Sequence, residues 1–159
     1  MLVPTCREGY HRWMLTLAEL TARTAHPGTV TWLGLRPARR AAMVPVPSAV
    51  VAFAGLEGDP RARPGTRAVS LLQADVTVEM LRRNIAIRGR NILAMRDRVL
   101  RIGPCALRIT GVCAPCSRME SALGPGGYTA VRGHGGMIAE VVTPGLIKIG
   151  DAVFADPPN

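Results

Sequence analysis

With 48% hydrophobic and 19% charged residues in 159, the chain has the composition of one ordinary globular domain that buries its own core, which excludes wholesale disorder. Its formal net charge of +9 is carried almost wholly by arginine, Lys148 being the single lysine. Guanidinium forks suit phosphate and carboxylate, so a small anionic ligand is expected, while aromatics at 4% are too sparse for the stacking platforms of single-strand nucleic-acid binders.

The absence of a long apolar run, and the presence of Arg7, Glu8 and His11 near the start, predict a cytoplasmic protein without membrane contact. Four cysteines, Cys6, Cys105, Cys113 and Cys116, are then read as thiols or ligands rather than a disulfide framework.

Tyr10, Trp13, Met14, Leu17 and Leu20 recur at helical spacing, predicting an amphipathic helix from about Glu8 to Arg23, stopped by His26-Pro27-Gly28 and packed on the domain as residues 1–27. From Gly28 the texture changes to short extended pieces punctuated by Gly and Pro. Val30 and Trp32 alternate with threonines; Ser48 to Ala54, Ala68 to Leu72, Val99 to Ile102, Cys105 to Gly111, Met137 to Val142 and Leu146 to Phe154 follow. So many short strands predict a mainly β domain over residues 28–159, a closed or nearly closed barrel with few helices. A helix is expected from Thr77 to Asn84, an exposed loop from Arg36 to Pro47, and a fraying tail after Asp156. Arginines cluster at Arg36, Arg39 and Arg40, and again at Arg61, Arg63 and Arg67.

Chemistry concentrates between Cys105 and Glu120. Leu107 and Ile109 alternate with Arg108 and Thr110 as in a half-buried strand, and Ser117 with Glu120 has the spacing of a capping box opening a short helix through Met119 and Leu123. Cys116 would precede that helix by one residue. The positive helix end and Arg118 favour thiolate over thiol, making Cys116 the candidate nucleophile and metal ligand. Cys113-Ala114-Pro115-Cys116 is also a C-x-x-C motif between strand and helix, the local arrangement of a dithiol–disulfide oxidoreductase. A structural zinc site would need Cys105 and His134 in addition, and a basic barrel binding nucleic acid is the non-enzyme alternative. The glycine clusters Gly124-Pro125-Gly126-Gly127 and Gly133-His134-Gly135-Gly136 allow close backbone approach, either as hairpin turns or around an anion.

Four segments resemble the MOSC domain, the family named for the C-terminal domain of molybdenum cofactor sulfurase. They are Gly55-Leu56-Glu57-Gly58-Asp59; Arg83-Asn84-Ile85 followed by Gly89; Pro115-Cys116 after a strand; and Gly145 through Gly150-Asp151-Ala152-Val153. The resemblance spans about Gly28 to Phe154 and implies a β-barrel of the pyruvate-kinase barrel type. It further implies that Cys116 carries sulfur or coordinates the molybdenum of a pterin cofactor (molybdopterin). The activity so implied is reduction of N-hydroxylated substrates or transfer of sulfur, with a separate electron-donor or sulfur-donor protein as partner. A thiolate is the soft ligand such a metal takes. Arg83, Arg118 and Arg132 are the candidate phosphate contacts; Asn84 and Asp59 either touch the pterin or hold turns; His134 is a candidate proton donor or lining residue. No lysine-centred pyridoxal phosphate pattern is seen.

Overall fold

A computed structural model describes residues 15–23, 26–74 and 82–157. Eleven strands are described among them: β1 Gly28–Leu35, β2 Val44–Pro45, β3 Ser48–Ala52, β4 Gly55–Leu56, β5 Val69–Gln73, β6 Ile85–Arg88, β7 Val99–Ile102, β8 Cys105–Val112, β9 Met137–Thr143, β10 Gly145–Lys148 and β11 Ala152–Ala155. Three short α-helices, α1 Leu17–Ala22, α2 Arg118–Leu123 and α3 Gly127–Ala130, and a 3-10 turn over Leu93–Met95 accompany them among the described residues.

Seven strands close a barrel in the order β11-β7-β8-β9-β5-β6-β1, and β1 returns to β11 through Gly28 opposite Val153 and Thr29 opposite Ala152. Closure leaves no free edge in this ring. All its pairings are antiparallel except β5 with β6, where Leu71 to Gln73 lie beside Ile85 to Ile87. A smaller sheet, β10-β3-β4, forms alongside. Strand alternation sends Val30, Leu33, Leu71, Ile85, Ile87, Leu100, Ile102, Leu107, Ile109 and Met137 into one core in which each is 0% exposed. Ala49, Val51, Leu56 and Ile147 extend that core into the small sheet.

The β-barrel expectation holds, with corrections of detail. Leu146 to Phe154 is two strands, because Gly150 (φ 95°) supplies a left-handed turn residue between them. The expected helix from Thr77 to Asn84 lies outside the described residues over 77–81, and its end is not helical. Arg82 is left-handed (φ 51°), and the Asn84 amide donates to the Ser70 carbonyl at 2.9 Å ahead of β6. Arg36 to Pro47 is only partly the expected loop, since Val44 and Pro45 pair with Leu35 and Gly34 and Arg36 is half-buried.

Of the expected N-terminal helix, the part through Met14 is outside the described residues. The described turn is capped by Thr16, whose side chain accepts from the Glu19 amide while Glu19 accepts from the Thr16 amide. Leu17 and Leu20 on it are exposed. No helix among the described residues is long and apolar enough to cross a membrane.

Candidate functional site

The site lies where β8 leaves the barrel. Val112 still pairs with Met137, and the Cys113 amide donates to the Gly136 carbonyl at 2.8 Å, so Cys113 is held at the strand's end. Ala114 and Pro115 are irregular, and the Cys116 carbonyl accepts from the Met119 amide at 2.8 Å as α2 begins. Cys113 is half-buried and Cys116 exposed.

The predicted capping box does not form. Ser117 is helical (φ −53°, ψ −21°) and its side chain caps nothing. The Glu120 carboxylate instead accepts from the amides of Gly126 and Tyr128 at 2.7 and 2.9 Å, tying α2 to α3. Those two bonds hold the Glu120 carboxyl below the usual carboxylate range.

Beside the two cysteines opens a cavity of about 360 Å³, at the low end of the range for small-molecule sites. Six arginines line it: Arg36, Arg61, Arg67, Arg82, Arg83 and Arg118. Cys113, Cys116, Ser70, Met119 and Ile138 complete most of the wall, and no carboxylate is among the described lining residues.

Three of the guanidiniums are fixed by the protein. Arg36 bonds Asp59 at 2.5 Å, Asn84 at 3.1 Å, the Ser70 hydroxyl at 3.0 Å and the Arg82 carbonyl at 3.0 Å. Arg83 donates from Nε to the Gly135 carbonyl at 2.6 Å, and Arg82 to the Ala38 carbonyl at 3.1 Å. The side chains of Arg61, Arg67 and Arg118 make no hydrogen bond or ion pair among the described residues. The loop bearing Arg67 is tethered through Thr110, whose hydroxyl donates to the Thr66 carbonyl.

Positive charge is crowded here. Burial is the chief cause that lowers the Arg83 pKa; Cys113 and Cys116 nearby raise it, and Arg36 and Arg67 lower it further. Arg82 is lowered first by burial and then by Arg36, Arg61 and Arg118. Guanidiniums that depress one another, offset only by Asp59 behind the wall, make a site for an anion.

The glycine pair Gly135-Gly136 allows this closeness. A Cβ on Gly135 would collide with the Cys113 carbonyl, and one on Gly136 (φ +90°) with the Leu71 carbonyl. These glycines therefore serve chain-to-chain contact, with the Gly135 carbonyl aimed at Arg83.

Of the residues singled out from sequence, Cys116, Arg83 and Arg118 come together on the cavity wall. Asp59 and Asn84 do not line it. They are 6% and 2% exposed and form a polar core behind it, in which Asn84 donates to Asp59 at 2.9 Å and accepts from Ser70. Arg132 and His134 are exposed and also lie off the lining. Cys105 packs in the barrel core with its thiol pushed up to about 12 by burial, so it shares no site with Cys113 and Cys116. Sequence reasoning missed Arg36, Arg61, Arg67 and Arg82 as cavity residues, although the two arginine clusters were a visible signal for three of them.

The chain matches a sequence model of the MOSC domain over residues 62–154, more than half its length. The match starts after the Gly55 to Asp59 segment. Among solved structures, the YuaD protein from Bacillus subtilis superposes with a TM-score of 0.73 at 15% identity, covering 84% of this chain and 97% of that one. YiiM from Geobacillus stearothermophilus gives 0.66 at 14% identity, covering 81% and 75%. YiiM from Escherichia coli gives 0.61 at 14% identity, covering 86% and 72%. At these identities the likeness is one of fold. Among curated proteins none matches the chain in sequence.

Proposed function

Since the chain belongs to the MOSC domain family, which is associated with the molybdenum cofactor, we propose that it holds the pterin form of that cofactor in the arginine-lined cavity, with Cys116 as the sulfur that meets molybdenum. One observation carries this reading: an exposed thiol and six guanidiniums open onto the same space, and of the six only Arg36 is paired with a carboxylate, that of Asp59 behind the wall, among the described residues. The donor set fits the group, because a thiol is a soft ligand for the metal and forked cations suit a phosphate.

The residues divide the work. Arg83, held by the Gly135 carbonyl, and Arg118, at the start of α2 beside Cys116, would hold the phosphate. Arg36 sits between cavity and core, so Asp59, Asn84 and Ser70 fix the orientation of its fork before any ligand arrives. Cys113 at the end of β8 sets where the Cys116 turn begins. When bound, the cofactor supplies two-electron redox chemistry. Reduction of an N-hydroxylated substrate is the proposed activity, with electrons delivered by a separate protein that reaches the exposed Cys116 face. A second reading, sulfur carriage on Cys116, is favoured by that same exposure.

The test is metal analysis with released-pterin fluorescence on chain made in a host that synthesises the cofactor. Wild type should retain both and Cys116→Ser should retain little; equal retention would remove Cys116 from the role. Persulfide on Cys116 with no pterin would select the second reading.

A further inference from the structure

The second thiol has no part in that proposal, yet it faces the same cavity. Cys113 and Cys116 are separated by two residues of irregular backbone; one is half-buried at the end of a strand and the other exposed. That asymmetry suits an attacking thiol and a resolving thiol. The remaining described cysteine, Cys105, is buried in the core and cannot take either part.

Around the pair, Arg61, Arg67 and Arg118 have guanidiniums with no protein acceptor among the described residues. These forks are free for carboxylates in a way that Arg36, Arg82 and Arg83 are not. A reagent carrying carboxylates would be drawn in, and a cationic one repelled, before either reached sulfur.

We propose that Cys113 and Cys116 form a reversible dithiol that exchanges with low-molecular-weight disulfides bearing carboxylates, the three unpaired arginines selecting for the negative charge. In the first step Cys116 releases its proton to solvent and its sulfur bonds one sulfur of the disulfide, while the other sulfur leaves as a thiolate. In the second, Cys113 loses its proton, bonds the Cys116 sulfur and expels the second small thiolate. The protein is oxidised by two electrons and the small disulfide is reduced to two thiols; an excess of those thiols reverses both steps. Oxidation removes the Cys116 thiol from service as a ligand, a consequence that rests on the cofactor reading above.

The exchange is measured on the 159-residue chain carrying Cys6→Ser, made in a host that lacks pterin synthesis, with oxidised glutathione as the anionic probe and cystamine as the cationic one. Each rate is divided by that of the same probe with the urea-unfolded chain, which cancels intrinsic reactivity. Peptide mass mapping should find a Cys113–Cys116 bond after oxidised glutathione, while Cys113→Ser should stop at a mixed disulfide on Cys116. The normalised rate should favour the anionic probe by about tenfold or more at low salt. That preference should shrink with added salt and in the Arg61→Gln, Arg67→Gln double variant. Equal normalised rates, or no Cys113–Cys116 bond in the parent chain, would overturn the proposal. Exchange is read without cofactor and cofactor retention with it, so the two readings fail separately.

Discussion

The Arg36 guanidinium and the Asp59 carboxylate meet at 2.5 Å immediately behind the cavity, with the Asp59 side chain 3% exposed. Asn84 and Ser70 complete the cluster, so that a cation facing the ligand space is oriented from inside the barrel. Removing Asp59 leaves the Arg36 charge, 14% exposed, without its counter-ion. Asp59→Ala should therefore cost about 3–5 kcal/mol in urea unfolding, and Asp59→Ala with Arg36→Met should cost less than the sum of the two single changes.

Gly133 and Gly136 both have positive φ, 82° and 90°, but only at Gly136 would a Cβ strike a backbone carbonyl, that of Leu71; nothing lies near Gly133. Gly133→Ala should cost about 1 kcal/mol from backbone conformation alone. Gly136→Ala should cost about 2 kcal/mol or more, because backbone on both sides of the collision must shift. Thermal or urea unfolding of the two variants decides it, and equal losses would contradict the packing role assigned to this loop.

Cys105 offers a pH test. Burial raises its thiol from an ordinary 9.0 to about 12, so the folded state keeps a proton that the unfolded chain loses. Stability is unaffected by this group below pH 9 and falls as pH rises from there toward 12, by at most about 1.4 kcal/mol per unit. Cys105→Ala should flatten that alkaline slope, and an unchanged slope would contradict it. The native thiol should also resist alkylation at pH 8 until the chain unfolds.

Glu120 ties α2 to α3 through two backbone amides. In Glu120→Ala, hydrogen exchange at Gly126 and Tyr128 should accelerate while that of Ile109 and Leu107 in β8 stays unchanged. The carboxyl is held low, so its bonds persist through the ordinary carboxylate range, and the stability they contribute is full above that range and lost as pH falls through the lowered value.

These tests also mark what the sequence made legible. Strands such as Val99 to Ile102 and Met137 to Thr143 could be read because alternation and Gly or Pro punctuation are local signals. β6 was missed because Ile85-Ala86-Ile87 is a continuous apolar run without alternation, buried on both sides in the one parallel pairing. Ser117 and Glu120 had capping-box spacing, yet Glu120 found better-placed donors six and eight residues on. Thr16 and Glu19 formed the box that was not singled out. The Arg36, Asp59, Ser70 and Asn84 cluster joins residues up to 48 positions apart, and no local pattern encodes such a meeting. The thiols were legible as a motif. That six arginines, five from turns and loops and one from the start of α2, surround them is a product of closure.

The most direct measurement is molybdenum and released-pterin content of the chain purified from a cofactor-synthesising host, for wild type, Cys116→Ser and Cys113→Ser. We predict retention in wild type and Cys113→Ser, and at least a tenfold loss in Cys116→Ser, in line with removal of a metal ligand. Wild-type protein that emerges without pterin or metal, or a Cys116→Ser variant that keeps both, would contradict the account.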